Sequence, residues 1–488
     1  MWQVIKNNTN LLFADSSYTN ISVSLLLCLI LVAGACTTNK TAVSPTNTVQ
    51  YYTSGLPYFS IGAIGNYDER NNPEVKVYLK VPYNNLIFKR NPVDGTFDAN
   101  FQIQLELFKI EETKNREISK TFIKSVQADS YNQTQSYQQY QFDYLFDVEP
   151  GNYELLAEIS DRNTDKSTQK ILKITIPEVK QNSFIVSDIQ LMTKVSGKSN
   201  NTAEVSYNIS PEYDSLKADI QLVLPNSQKD LAVRMNLLKL TSDTLPASLP
   251  YGVTPRRSSL RFKGIDYSKA DTLQSSLRRL NGISGLIKID FPMPNLNVSN
   301  YKTEIIAYGP ENQVMFKKVR EFAIKQSNYP QVNDLDQMVQ ALKYIAYPDE
   351  YEKLQEIQSP QKLRVAFEAF WLKLYENEAK AKGAINNYYS RVERANELFP
   401  SYKEGWKTDL GMIYIVMGKP VHTEENGDEL IWYYPSNNPQ NGGTIFFLFK
   451  NITMNQSHPY DHYLLQRGMG YHWLYQSAVE RWRSGKIN

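Results

Sequence analysis

The chain has 488 residues, with 53 Lys and Arg against 51 Asp and Glu and a formal net charge of +2. Its basic residues are dispersed, with no polybasic run or stripe, which argues against a nucleic-acid partner. The length corresponds to about three domains of ordinary size, and the cysteines are two, Cys28 and Cys36.

At the N-terminus, Ile21 to Ala35 reads ISVSLLLCLILVAGA, an apolar run ending in small residues. A span needs ~20 apolar residues, so the run is short for a membrane helix and fits the core of a secretory signal over 1–35. The stretch before it is long and holds Lys6 as its one basic residue. Ala33-Gly34-Ala35-Cys36 resembles a bacterial lipobox, in which the cysteine is lipidated and becomes the new N-terminus. On that resemblance Cys36 carries acyl chains and ties the protein to a membrane, each buried methylene contributing ~0.8 kcal/mol. The alternative is an uncleaved anchor with Cys36 incidental. Cleavage removes Cys28, so neither a disulfide nor a cysteine-ligated metal is expected. Residues 36–52 are rich in Thr, Asn, Ser and Pro and read as a flexible tether. The first acidic residue after Cys36 is Asp68. Some Bacteroidetes lipoproteins carry acidic residues just after the cysteine as a surface-export signal. By that resemblance the periplasmic side of the outer membrane is expected, in preference to the cell surface.

Residues 53–180 read as all-β. EVKVYLKV and FQIQLELFKI alternate as half-buried strands do. Pro150-Gly151 is a turn signal, after which Tyr153, Leu155, Ala157 and Ile159 fall on one face. Short strands separated by turns suggest a sandwich. Residues 181–328 look like a weaker second copy: IDFPMPNLNVSNYKTEIIAYGP echoes YLFDVEPGNYELLAEISDR, strand, proline-containing turn, Tyr-led strand. Such modules space or bind more often than they catalyse.

The period changes in 329–488, where an α+β domain is expected, helices first and then a small antiparallel sheet. Leu335, Met338, Val339, Leu342 and Ile345 recur at helical spacing. Ser359-Pro360 is a helix start, with Leu363, Phe367, Phe370 and Leu374 behind it. Ile385, Tyr388, Val392, Ala395 and Phe399 form a third stripe over 381–398. MIYIVM, ELIWYY and TIFFLFK then read as short strands, and WLYQSAVERWRS as a terminal helix.

Between helix and sheet lies GWKTDLGMIYIVMGKP, 405–420. Gly405 and Gly411 suit unusual backbone angles, Thr408 and Asp409 can bond nearby N–H groups, and Trp406 is a large anchor with one donor to place. Together they predict a shaped turn from helix into strand. This stretch, with its helical lead-in and the following ELIWYYP, closely resembles the GWxTD domain of Bacteroidetes proteins over about 330–450. The signature falls on Gly405, Trp406, Lys407, Thr408 and Asp409. Gly418 and Pro420 match the family's Gly-x-Pro corner, and Glu429 and Trp432 its acidic–x–x–Trp segment. Leu410 departs from the family, which often has a basic residue there. The resemblance implies lineage and domain and carries no reaction with it; it also implies sandwich-like modules upstream, as read above.

Other candidates are sparse. Asp409 and Glu429 could act as an acid–base pair if they met, as in glycoside hydrolysis. The four histidines, His422, His458, His462 and His472, all lie in the tail. HPYDH lacks the HExxH pattern of a zinc helix, so no metal and no cofactor is expected. No G-x-S-x-G and no phosphate-cradling Gly-rich loop is present. Asp-Ser/Thr-apolar triplets at Ser215, Thr244 and Thr272 resemble Bacteroidetes O-glycosylation acceptors. The reading favoured by the sequence is a non-enzymatic, outer-membrane-anchored scaffold that binds an envelope protein in biogenesis or secretion. A glycan- or peptidoglycan-binding module, or a hydrolase using Asp409 and Glu429, is the alternative, and a surface lipoprotein in nutrient capture is a third. The sequence names no small-molecule ligand.

Overall fold

In the computed structural model the described residues are 42–43, 49–50 and 57–486, apart from 113, 165, 179–183, 196, 198–200, 225–229, 253–263, 283, 376, 436–443 and 453–459. The secretory signal, Cys36 and His458 lie outside them.

Alternation builds the first sandwich. In Pro73–Pro82 every second residue, Val75, Val77, Leu79 and Val81, is buried. Gly151–Asp161 buries Tyr153, Leu155, Ala157 and Ile159 on the face expected from the sequence. Ser60–Tyr67, Pro73–Pro82 and Gln139–Asp147 form one antiparallel sheet. Phe97–Ile110, Gly151–Asp161 and Ser167–Ile176 are the centre of the other, with the long Lys114–Ala128 paired to Phe97–Ile110. Side chains of both sheets meet in one core that includes Val77, Leu79, Phe101, Leu105, Leu155 and Ile174.

The second sandwich repeats this plan. Gly285–Met293, Ser215–Leu224 and Gln190–Lys194 stand where the three-stranded sheet stands in the first. Val314–Ile324, Ser299–Tyr308, Asp230–Ser242 and Ile265–Asn281 follow the order of the other sheet. The duplication reaches single bonds. The Tyr153 hydroxyl donates to the Glu149 carbonyl at 2.8 Å, and the Tyr301 hydroxyl donates to the Asn297 carbonyl at 2.8 Å, each four residues upstream. A tyrosine tying the start of a strand to its own corner is a recurrent device of sandwiches. Two dipeptides of the expected tether, Ala42–Val43 and Val49–Gln50, pair onto sheet edges, against Val314–Ile324 and Ser167–Ile176. At these two dipeptides of the flexible tether the backbone is paired, because open strand edges offer partners to any extended neighbour.

The C-terminal part packs helices α1 (Leu335–Ala341), α2 (Pro348–Gln355), α3 (Pro360–Tyr375), α4 (Glu378–Leu398), α5 (Asp409–Met417) and α6 (His472–Arg483) with a four-stranded antiparallel sheet. The sheet runs His422–Asn426, Glu429–Pro435, Thr444–Asn451, Tyr463–Leu465. Caps start α1 and α4: Asp334 accepts from Gln337 N, and Asn377 from Ala379 N and Lys380 N. Two sequence expectations change here. Helix α2 has no counterpart among them, although Pro348 at its first turn and Asp349 and Glu350 behind it suit a helix start. MIYIVM is not a strand but the body of α5, where Met412, Ile413, Ile415 and Val416 are all buried. A short run that is apolar on every side has no period to read, and a buried helix and a buried strand look alike in it.

The modules share walls. Ala42–Asn488 form one compact unit. Asn300, on the second sandwich, accepts from the Tyr207 hydroxyl at 2.8 Å and donates to Ser242 Oγ at 2.7 Å and to the Tyr402 carbonyl, in the C-terminal part, at 2.8 Å. Arg394 on α4 bonds Asn85 of the first sandwich. Asn300→Ala removes the bond to the buried Tyr402 carbonyl and one bond each from the Tyr207 hydroxyl and Ser242, and an unsatisfied buried group costs about 1–3 kcal/mol. A lower urea midpoint with an unchanged slope is the expected result.

Candidate functional site

The GWKTD stretch forms the corner between α4 and α5. Gly405–Lys407 is a single 3-10 turn, and Thr408 is the N-cap of α5. Its Oγ1 accepts from Gly411 N at 3.0 Å and donates to the Gly405 carbonyl at 2.7 Å. Helix therefore runs into helix, where the sequence suggested helix into strand. The glycines also serve differently from expectation. A Cβ on Gly405 would lie 2.1 Å from the Ala395 carbonyl oxygen, and one on Gly411 2.0 Å from the Gly405 carbonyl oxygen. Neither has a positive φ; they are glycine because backbone passes against backbone. Gly418 is the position that needs its backbone freedom: it ends α5 with φ +82. Its carbonyl accepts from the Tyr434 hydroxyl at 2.8 Å. Pro420, half-buried, follows before the first strand of the sheet.

Trp406 is fully buried. Its amide donates to Asn396 Oδ1 at 3.2 Å, its carbonyl accepts from the Tyr344 hydroxyl at 3.0 Å, and the Lys407 ammonium stands 5.3 Å from its ring centroid. Lys407 also pairs with Glu404 at 2.8 Å. Burial pushes the Glu404 carboxyl up, but Lys407 and Lys325 beside it outweigh this and hold it below the ordinary value. Trp432 is buried against Phe399 and Phe449, with ring centroids 5.6 and 5.1 Å away.

Asp409 is the centre of the corner. Oδ2 accepts from Leu465 N at 2.8 Å and from Arg467 Nη1 at 2.9 Å, and Oδ1 accepts from Arg467 Nη2. The Asp409 and Arg467 side chains are 5% and 3% exposed. Arg467 reaches further, donating from Nε to the Leu249 carbonyl at 3.1 Å and from Nη2 to the Ser248 carbonyl at 3.0 Å. The loop that follows Asp230–Ser242 in the second sandwich is thus bound into the C-terminal part. Ala247 N donates to the Lys407 carbonyl at 2.9 Å, Lys403 Nζ bonds Asp243 at 3.0 Å, and Gly468 N donates to the Pro250 carbonyl at 3.2 Å. Sequence reasoning did not single out Arg467: it sits 58 residues from Asp409 in the chain, and its cue is a lone arginine between a Leu pair and a glycine.

Asp409 and Glu429 are not brought together. Asp409 bonds the edge strand Tyr463–Leu465, whereas Glu429 pairs with Lys450, whose other neighbour is Leu464. Two strand spacings are roughly 10 Å. Glu429 also lies on the face opposite buried Leu430, Trp432 and Tyr434. The pair fits no shared acid–base step in this arrangement. His422 and His472 are exposed. His462 is buried, with Ser401 Oγ 3.3 Å from Nδ1 and the Tyr402 hydroxyl 3.3 Å from Nε2. Among the described residues no group of three or more His, Cys, Asp or Glu is placed to hold a metal. Ser215, Thr244 and Thr272 are all exposed.

A second locus had no signal in the sequence, because its walls come from all three modules. A partly open cavity of about 130 Å³ is lined by Tyr58, Ser60 and Lys170 of the first sandwich, Tyr207, Arg320 and Glu321 of the second, and Thr408, Leu410, Tyr460 and His462 of the C-terminal part. Arg320 donates to the Ile189 carbonyl at 3.0 Å and to the Glu204 carbonyl, and burial lowers its pKa to about 10. Lys170 lies over the Tyr58 ring at 4.3 Å and the Phe59 ring at 5.4 Å. Leu410 is one of the apolar wall residues.

Gly405→Ala and Gly411→Ala should each cost at least the about 1–3 kcal/mol of core overpacking. Gly383→Ala, in α4 with open space around it, should instead stabilise by about 0.5–1 kcal/mol. Paired denaturant titrations of the three variants check this. Asp409→Ala leaves Arg467 buried without its carboxylate, a change that costs about 3–5 kcal/mol. Loss of the cooperative thermal transition is the expected readout.

No curated protein matches the chain. Among solved structures, red sea bream transglutaminase is similar at 11% identity with a TM-score of 0.18, over 55% of this chain and 31% of that one. The matched part is thus under a third of that protein, and a likeness this slight carries no argument. Residues 308–484 match the family model of the GWxTD domain. The corner built on Gly405, Trp406, Thr408 and Asp409, with the helices and sheet that close on it, is accordingly a GWxTD domain.

Proposed function

We propose that this protein is a lipid-anchored scaffold of the bacterial outer membrane, held through Cys36 on the periplasmic side, whose two sandwiches carry the GWxTD domain as a binding module for an envelope protein in biogenesis or secretion. The observation that supports it is the use made of the signature. Both oxygens of Asp409 are taken by Arg467 and Leu465 N, and Thr408 is spent on its own helix. The most distinctive residues of the chain therefore hold modules in a fixed relation, which is what a spacer needs and what an acid or base, which must exchange its proton, does not allow. The exposed Ser215, Thr244 and Thr272 are proposed sugar acceptors on the second sandwich.

The test is made in cells of the native host. Cys36→Ser should move the protein from the membrane fraction to the soluble fraction. Crosslinking of a tagged, anchored chain should recover one envelope protein in near-stoichiometric amount. Recovery of the chain alone, with Cys36→Ser still in the membrane, would overturn the reading.

A further inference from the structure

We propose that the end of the second sandwich formed by the turn Pro310–Asn312, with Val314 and Met315 after it, is the face that lies against the lipid bilayer. This rests on the lipid-anchor reading above and deepens it by naming the surface that meets the membrane.

The direction of the chain points to this face. Ala42–Val43 pairs parallel with Val314–Ile324, Ala42 opposite Lys318 and Val43 opposite Val319. A strand in parallel register is entered from the side on which its partner starts, here the side of the turn. Cys36 stands six residues before Ala42. Six residues reach at most about 22 Å, and the strand from Lys318 back to Val314 measures about 13 Å. The leash is therefore long enough to pass the turn by several ångström and too short to go much further. Toward Ile324 it would have to reverse, and about 20 Å of it would be used in drawing level with the strand end. That end is already taken: Ile324 pairs with Ser299, and the neighbouring Asn300 donates to the Tyr402 carbonyl of the GWxTD domain.

The surface suits a bilayer. Val314 is 46% and Met315 37% exposed, directly after the exposed residues 310–313. The first sandwich, built on the same plan, begins its matching strand with Ser167 and Thr168, so the fold does not require the apolar pair. Val314 is opposite Tyr308, Tyr308 opposite Ala232 and Ala232 opposite Arg279, which puts them in one row across the end of the sheet. In the next row on that face Lys317 and Arg234 flank Ile306, and the Arg234 guanidinium stands over the Tyr308 ring at 5.3 Å. Apolar residues at the tip, with a tyrosine and long cationic side chains behind them, fit the boundary between acyl chains and headgroups. Glu311, Asp230 and Glu304, the last paired with Lys317 at 3.0 Å, offset much of the positive charge. The contact is thus interfacial burial more than attraction to anionic lipid.

The experiment uses the acylated chain, purified from membranes of the native host and returned to vesicles of phosphatidylethanolamine and phosphatidylglycerol. With Cys36 acylated and Cys28 cleaved away, a single introduced thiol takes one fluorescent label. Gln313→Cys places it at the turn, and Lys382→Cys places it on α4 of the GWxTD domain; both positions are exposed. Quenching by nitroxide-bearing lipid reads closeness to the bilayer. The label at 313 should be quenched at least ~3-fold more than the label at 382, since an interfacial apolar face sits ~5–10 Å into the headgroup boundary. Adding Val314→Asp and Met315→Asp to the Gln313→Cys chain should remove most of that difference while the acyl chains keep the protein on the vesicles. Equal quenching at the two positions, greater quenching at 382, or quenching untouched by the two aspartates overturns the proposal and leaves the anchor reading intact. Absence of the acyl mass on Cys36 in the peptide mass spectrum overturns the anchor reading, and this proposal with it.

Discussion

The arrangement of the C-terminal part depends on one buried ion pair, Asp409 with Arg467. Each partner alone would be costly: a charge taken from water needs its counter-charge and its remaining hydrogen bonds supplied in place. Here both are supplied. Asp409 has Leu465 N as a third donor, and Arg467 has the carbonyls of Ser248 and Leu249. These partners come from a helix N-terminus, an edge strand and a loop of the neighbouring sandwich. The pair can be satisfied only when all three are docked, so it acts as a condition on assembly more than as a source of net stability. Asp409 at the first position of α5 also faces the positive end of that helix, which favours its charge further.

The close glycines follow from this docking. To set Asp409 against Leu465, α5 must start directly on the turn made by Gly405–Lys407, and that turn must lie on the end of α4. The two contacts that result, Gly405 on Ala395 and Gly411 on Gly405, leave no room for a Cβ. Trp406 fills the remaining interior and is fixed through its backbone by Asn396 and Tyr344. The signature is thus a set of mutually dependent solutions to one packing problem, with each residue type dictated by space or by a hydrogen bond.

Much of this architecture was legible in the chain. Period-two patterning marked the strands, and the echo around Tyr153 and Tyr301 extends to equivalent hydroxyl bonds. Residues 308–484 as a GWxTD domain agree with the motif read at 405–409. What escaped has physical reasons. MIYIVM is apolar on all sides, so its period was hidden and α5 read as strand. The roles of Gly405 and Gly411 depend on distances between segments that no local rule records. Arg467 carries no local pattern, since an arginine becomes a structural ligand only when a carboxylate far along the chain is folded against it. Asp409 and Glu429, raised only as the alternative to a structural corner, stay apart for the converse reason: Glu429 lies in the sheet whose edge Asp409 binds, but strand alternation turns it to the other face.

The boundary between modules is where the two levels meet. The sandwiches and the GWxTD domain could have been joined by apolar contacts alone. The boundary instead buries Lys170, Lys325 and His462 at shared walls. Burial lowers the pKa of Lys325 to about 8, and its ammonium donates to the Ser401 carbonyl at 3.3 Å. Polar groups in such a place fix orientation, because a shift of one module by an ångström or two breaks bonds that water cannot replace. The Asn300 bond to the Tyr402 carbonyl crosses this boundary, whereas the bonds of Arg320 to the Ile189 and Glu204 carbonyls fix its place within the second sandwich. The polar bonds between sandwich and GWxTD domain and the cavity lined by both therefore belong to one junction.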